Sequence, residues 1–182
     1  WCELLRRTLE AFFVTGKGFS YSTVCLRGAG ERIAGFGGTA SGPIPLTEMT
    51  EKICALLIAR EGKKVRPIDA GDVLCAIAEM VVSGNVRRSA LMLIGDPWDK
   101  EFLKAKRWDL GTLPSYRSAA NFSVACDDAE DLHPSFWKTY EIGEAFGIVN
   151  RKNIQQYARM GVKKADAAVG VNPCVTGSTE IL

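Results

Sequence analysis

The sequence predicts an α/β fold with a mainly parallel sheet. Short, mostly apolar segments at residues 91–94, 122–126, 146–149 and 168–171 lack the polar alternation of half-exposed strands. Such continuous apolar segments are typical of strands buried on both faces. Helical patterns lie between the strands along the chain, which favours parallel strands joined by helices.

Three helices are predicted in the N-terminal half. The first runs from Cys2 to Phe13, the second is capped by Thr47 and runs to about Arg60, and the third is capped by Asp69 and runs to about Val82. The apolar side chains predicted to be buried are Met49, Ile53, Leu56 and Leu57 on the second helix, and Val73, Leu74, Ile77 and Val81 on the third.

The C-terminal half alternates strands with shorter helices. Asp96-Pro97 is predicted to start a helix, since a cap followed by Pro is favoured at a helix N-terminus. A further helix is predicted over Pro134 to Gly143, and Asn150 is predicted to cap one that runs to Met160. Residues 108–120 form the longest irregular segment, and such loops are often functional.

The composition excludes several classes of protein. The chain has 182 residues, of which 47% are hydrophobic and 24% are charged, with a net charge of +2. These values are typical of a globular protein and give no reason to expect a nucleic-acid partner. No apolar run approaches the roughly 18 residues that span a bilayer, and no secretory signal is visible, so we expect no membrane partner.

The cysteines favour a reduced, cytoplasmic protein. Six cysteines show no close pairing, and two of them, Cys54 and Cys75, fall in predicted helices as small hydrophobes. With a single histidine, His133, and no clustered carboxylates, we expect no metal site made of protein ligands.

Gly35 to Pro43 contains four glycines in nine residues. Glycine permits positive φ and close approach of the backbone to a ligand, so exposed N–H groups here could cradle a phosphate. The candidate residues are Gly37, Gly38, Thr39 and Ser41. A tight turn without a ligand explains the glycines about equally well, and the spacing is not that of a P-loop.

Three further segments carry candidate binding or catalytic residues. In the first, residues 84–90, two arginines behind a glycine could bind phosphate bidentately, although a solvated Arg pair explains the charge as well. The second, residues 120–124, offers polar side chains at a strand that could bind a ribose or phosphate, although Ser123 could equally be one buried hydroxyl. The third is the tripeptide 172–174. The residues concerned are Gly84, Asn85, Arg87 and Arg88, then Asn121 and Ser123, then Asn172 and Cys174.

Together, the motifs GFGGTASGP, GNVRRSA, ANFSV and NPC resemble the adenosylcobalamin-dependent (class II) ribonucleotide reductases. The resemblance implies part of a ten-stranded α/β barrel with a finger loop that carries a cysteine through its centre. It implies adenosylcobalamin as the cofactor and Cys174 as the thiyl radical position. It also implies a ribonucleotide substrate, a deoxynucleotide effector near residues 84–88, and a thioredoxin-type or dithiol reductant.

The resemblance leaves the substrate and the mode of action open. The motifs look most like those of the triphosphate-using branch, whereas diphosphate use remains an alternative. A non-catalytic nucleotide-binding regulatory domain is the alternative from another class. It would use the glycine-rich and Arg-Arg segments alone and would not depend on Asn172 or Cys174.

The sequence departs from the family motif after Cys174. The family continues with Gly-Glu, in which the glutamate is the general base, whereas this chain has Val175 and Thr176. Residues 174–182 resemble the start of an intein, which would make Cys174 the nucleophile of protein splicing. We therefore expect residues 1–173 to be a fragment of the catalytic barrel and residues 174–182 to begin an intein.

Overall fold

The computed structural model describes residues 1–35, 37–83, 90–142, 147–157 and 171. The chain divides into two compact units, Trp1–Ser89 and Ala90–Leu182. Each unit is described by itself.

The described part of the first unit is helical. The helices are α1 (Cys2–Glu10, continued by a π-helical turn over Ala11–Thr15), α2 (Ile44–Ile58) and α3 (Pro67–Val82). Their apolar faces meet in one core, as the predicted helical periodicity requires. The buried core residues are Leu4, Leu46, Met49, Ile53, Leu57, Ala76 and Met80.

Helix α2 begins earlier than the cap predicted at Thr47. Its first residue is Ile44, and Pro45 lies in the first turn. Proline is tolerated there because the first N–H groups of a helix have no acceptor within the helix. The Thr47 hydroxyl instead donates to the carbonyl oxygen of Ile44 at 2.8 Å, inside the helix. The prediction of Thr47 as the N-cap is therefore wrong.

Asp69 stabilises the start of α3, although not as its N-cap. The cap position is Arg66, and the Asp69 carboxylate accepts the Arg66 backbone N–H at 2.8 Å. The Arg66 guanidinium pairs with the same carboxylate at 2.7 Å, and Nε of Arg60 lies 3.0 Å from it. The hydrogen bond from Arg66 is the main reason why the pKa of Asp69 lies below its ordinary value.

The predicted apolar stripe of α3 is partly wrong. Leu74 is 45% exposed, whereas Val73, Ile77 and Val81 are half-buried against the core. The fully buried positions are mostly small, and they include Cys75, Ala76 and Ala78. Small side chains let neighbouring backbone approach closely, so burial on this helix does not follow side-chain size.

The second unit contains a parallel sheet, as predicted. Its three described strands are β1 (Leu91–Gly95), β2 (Ala120–Cys126) and β3 (Gly147–Asn150), in the order β1-β2-β3. Both pairings are parallel, with Leu91 opposite Ala120 and Ser123 opposite Gly147. The α/β class is therefore confirmed for the described residues, whereas the ten-stranded barrel stays a prediction.

The helices of this unit are α4 (Lys100–Leu103), α5 (Pro134–Glu141) and α6 (Arg151–Tyr157). Asp96-Pro97 does not start α4. The Asp96 carboxylate accepts the N–H of Trp98 at 2.7 Å in a turn, and Asp99 caps the helix instead. The cap at Asn150 is confirmed, because its side-chain oxygen accepts the N–H of Asn153 at 2.8 Å.

Candidate functional site

The glycine-rich segment forms a tight hairpin. Arg32 and Thr39 form an antiparallel bridge, the N–H of Ile33 donates to the Gly38 carbonyl at 3.0 Å, and the N–H of Gly37 donates to the Ile33 carbonyl at 3.1 Å. Gly37 and Gly38 have φ of +72° and +74°, which only glycine adopts readily. The glycines are thus explained by the turn, and the N–H of Gly37 is used within it.

The base of this hairpin leads directly into α2. Gly42 is buried with φ of +77°, and a Cβ there would lie 3.1 Å from both the Cβ and the backbone nitrogen of Ala29. Ser41 is half-buried, whereas Gly37, Gly38 and Thr39 are exposed at or beside the turn. The exposed part of the motif is therefore the part available to a ligand.

The second candidate segment is strand β2, whose two faces differ. Phe122 lies on the face covered by α4, where its ring centre is 5.2 Å from that of Phe102. Helix α5 packs beside α4, and its Thr139 hydroxyl donates to the Leu103 carbonyl at 3.3 Å. Residues alternate between faces along a strand, so Asn121 and Ser123 lie on the opposite face.

Asn121 and Ser123 share this face but differ in exposure. Asn121 is exposed, whereas Ser123 is 2% exposed. A Cβ built on Gly147, the residue opposite Ser123, would lie 2.4 Å from the Ser123 hydroxyl oxygen. Gly147 therefore provides the space for this hydroxyl, a role that the sequence did not reveal because Gly147 reads only as part of a strand.

Lys106 was not predicted as a site residue, yet it contacts the beginning of β2. Its ammonium donates to the carbonyl oxygen of Ala120 at 2.6 Å and lies 5.1 Å from the ring centre of Phe122. These two residues flank Asn121. Lys106 lies 14 positions before Ala120, and short 3₁₀ helices at Trp108–Leu110 and Ser115–Ala119 lie between them, so no spacing rule could have found it.

The remaining predicted site residues lie outside the described residues. They are Gly84, Asn85, Arg87 and Arg88 of the Arg-Arg segment, together with Asn172 and Cys174. The residues predicted to bind nucleotide that the structure does describe fall in different units, the glycine-rich hairpin in the first and β2 in the second.

An open cavity of about 610 Å³ lies in the first unit. Its walls come mainly from the π-helical turn after α1, the loop that follows it and the C-terminal end of α2, and they include Phe12, Phe19, Tyr21, Cys54 and Arg60. Burial raises the pKa of the Cys54 thiol, so this thiol is a poor nucleophile. None of the described residues predicted for the site lines this cavity.

Five cysteines are described as thiols outside any disulfide, and of these Cys75 and Cys126 are buried. The five are Cys2, Cys25, Cys54, Cys75 and Cys126. Burial is the largest cause that raises the pKa of the Cys126 thiol, and the negative charges of Asp131 and Asp127 raise it further. No group of three His, Cys, Asp or Glu side chains in the described ranges could hold a metal ion. None of the described helices has the length and apolarity that crossing a membrane requires.

Residues 20–57 match the family model for the insertion domain of B12-dependent ribonucleotide reductase. The chain is 42% identical over 154 residues to an adenosylcobalamin-dependent ribonucleoside-triphosphate reductase of Lacticaseibacillus paracasei, covering 82% of this chain and 20% of that protein. The enzyme of the same description from Lactobacillus leichmannii is 39% identical over 155 residues, covering 82% of this chain and 21% of the relative. The enzyme of the same description from Euglena gracilis is 31% identical over 186 residues, covering 99% of this chain and 25% of that protein.

The resemblance predicted from the motifs is therefore confirmed. This chain spans about a fifth of the length of the relatives from Lacticaseibacillus and Lactobacillus. No solved structure gives a significant match.

Proposed function

We propose that this chain, which matches a segment of the adenosylcobalamin-dependent ribonucleotide reductases in sequence, forms part of the barrel in which such an enzyme reduces ribonucleotides to deoxyribonucleotides. The observation that carries the proposal is the 42% identity over 154 residues to an enzyme of that description. The relatives are described as ribonucleoside-triphosphate reductases, so triphosphates are the favoured substrates, and diphosphates are the alternative.

The geometry of the second unit supports this function. Helix α4 packs on one face of the parallel sheet with α5 beside it, and Asn121 is exposed on the other face. In closed α/β barrels the helices form the outer ring, so the face opposite α4 corresponds to the interior. Asn121 and Ser123 would then face the ribose or the phosphates of the bound nucleotide.

The motifs of the first unit would have nucleotide-binding roles of their own. Gly37, Gly38, Thr39 and Ser41 would contact phosphate, for which their exposed turn and the adjoining N-terminus of a 15-residue helix are suitable. Gly84, Asn85, Arg87 and Arg88 would respond to a deoxynucleotide effector and link it to the substrate base. A dithiol or a thioredoxin-type protein would supply the two electrons with which the ribose loses its 2′ hydroxyl as water.

Adenosylcobalamin, when bound, supplies the radical of this chemistry through homolysis of its cobalt–carbon bond. The described residues do not form a site for its cobalt. The chain's single histidine, His133, accepts the N–H of Ser135 through Nδ1 at 3.0 Å and caps α5. The chain's own residues would therefore serve nucleotide binding. The protein would act in the cytoplasm.

Cys174 has two possible roles in this proposal. As the reductase cysteine, its thiyl radical would take a hydrogen atom from the ribose 3′ carbon and so become the thiol, with Asn172 as a second catalytic residue. As the first residue of an intein, it would attack the Pro173 carbonyl, and the radical cysteine would follow the intein. The second role explains why Val175 and Thr176 replace the Gly-Glu of the family motif.

The test is to express the full-length protein that carries this chain, to determine its mass, and to assay the product with CTP, adenosylcobalamin and dithiothreitol. Formation of dCTP is expected, whereas binding of CTP without any dCTP would favour a non-catalytic nucleotide-binding domain. Loss of a block that starts at Cys174 from the mature mass would establish splicing. In that case Cys174→Ala, which removes the nucleophile, should abolish splicing, whereas in an unspliced protein it should abolish reduction directly.

A further inference from the structure

We infer that Lys106 is a positioning residue for the nucleotide contact at Asn121 and that it acts through the backbone of β2. The inference rests on the proposed function, because Asn121 is assigned to the nucleotide site there. Lys106 belongs to none of the family motifs that the sequence displays.

The contacts of Lys106 fall on both sides of Asn121. The ammonium donates to the carbonyl of Ala120 at 2.6 Å, a charge-assisted hydrogen bond of the stronger kind. It also lies 5.1 Å from the ring centre of Phe122, within the range of a cation–π interaction. Lys106 therefore contacts the backbone carbonyl of Ala120, which precedes Asn121, and the ring of Phe122, which follows it.

A second cation holds the segment that carries Lys106. The guanidinium of Arg117 donates to the carbonyl of Ala105 at 2.8 Å. Residues 105–106 are thus tied to Arg117 and to the start of β2, and both cationic side chains are half-buried. The Arg117 bond holds residues 105–117 together, and the Lys106 bond joins this segment to the start of β2. We therefore expect the position of Asn121 to depend on Lys106.

Lys106 reaches the strand from the helix-covered side. Phe122 packs against Phe102 of α4 on that side, whereas Asn121 is exposed on the other face. An effect of Lys106 on nucleotide affinity should therefore pass through Asn121. That separates a positioning role from a direct contact, because a direct contact would add to the effect of Asn121 instead of depending on it.

The experiment is a double-mutant cycle in the full-length protein, with the dissociation constant of CTP measured by equilibrium dialysis as the primary readout. We expect Lys106→Met to weaken CTP binding about tenfold, as loss of a charge-assisted hydrogen bond would. Asn121→Ala should weaken it similarly, and the double variant should be no weaker than Asn121→Ala alone. Lys106→Arg should restore most of the affinity, since arginine can also donate to the carbonyl and stack on the ring.

Lys104→Met is the matched control, because Lys104 is exposed two residues away, and it should leave CTP affinity unchanged. In the reduction assay, Lys106→Met should raise KM for CTP and leave kcat within about twofold, which a general loss of folded protein would not do. Multiplicative losses in the double variant, or a Lys106→Met protein that binds like the control, would overturn the inference. An unaffected Asn121→Ala protein would overturn it together with the assignment of Asn121. If the CTP affinities of the single and double variants follow the expected pattern but the protein forms no dCTP, the inference on Lys106 is supported and only the proposed reaction is refuted.

Discussion

Between β2 and β3, the Ser123 hydroxyl occupies the space that a side chain at position 147 would need. The Ser123 hydroxyl oxygen lies 2.4 Å from the position that a Cβ of Gly147 would take, far inside van der Waals contact. Ser123 is buried, so its side chain has little freedom to move away. Each of these two residues therefore restricts which side chains fit at the position of the other.

Gly147→Ala should lower the free energy of unfolding by about 1–3 kcal/mol, because the added methyl group must displace the Ser123 hydroxyl or the strand. Thermal unfolding of the full-length protein would measure the loss. Replacing Ser123 with alanine as well should recover most of it, since the serine Cβ lies at 3.4 Å from the added atom. Gly18→Ala, with open space around that position, should cause no loss. A double variant as unstable as Gly147→Ala would show that the hydroxyl is not the obstacle.

At the level of elements, the sequence predicts which segments are helices and strands better than it predicts where they begin. The strands at 91–95 and 120–126 and the cap at Asn150 follow from local apolar runs and a local side-chain bond. Asp96 and Asp99 both fit the rules for a cap. The structure shows that Asp99 is the cap, because its carboxylate accepts the N–H groups of Glu101 and Phe102.

The contacts that were missed depend on tertiary structure. Lys106 meets Ala120 across 14 residues, and Gly147 meets Ser123 only because their strands pair in that register. The prediction that Leu74 is buried is wrong, because small residues such as Ala76 and Cys75 occupy buried positions of α3. Local patterns carry no information on any of these three.

The start of α3 should depend on pH through Asp69. The pKa of this carboxyl in the folded protein lies below its ordinary value of 3.8, mainly because Arg66 donates to it. A lowered folded pKa stabilises the fold at pH values above the unfolded pKa, and the contribution disappears as the pH falls through the folded pKa. Asp69→Asn should therefore cost about 1–3 kcal/mol at pH 7 and progressively less below about pH 4.

Thermal unfolding of the full-length protein between pH 3 and pH 7 would measure this difference. Glu48→Gln is the control, because Glu48 is an exposed carboxyl on α2, and it should change stability little at any pH. A loss for Asp69→Asn that stays constant down to pH 3 would contradict the assignment of the effect to the ionised carboxyl.

At the scale of the whole molecule, both outer edges of the described sheet are unpaired within the described residues. Strand β2 pairs with both neighbours, whereas β1 and β3 each pair along one edge within the described residues. Unpaired edges of buried parallel strands are unfavourable, and a closed barrel removes them. The relatives are about five times longer than the segment they share with this chain, which leaves ample length for the strands that closure needs.

Residues 1–182 expressed alone should therefore form no dCTP from CTP with adenosylcobalamin and dithiothreitol, because the outer edges of β1 and β3 have no neighbouring strand within the described residues. The open edges should also make the isolated chain self-associate, which sedimentation velocity would detect as species larger than the 19.8 kDa monomer. The full-length protein, assayed in parallel, should give dCTP and should not associate through these edges. Reduction of CTP by a monomeric 182-residue chain would contradict both the open-edge argument and the assignment of the segment to a larger barrel.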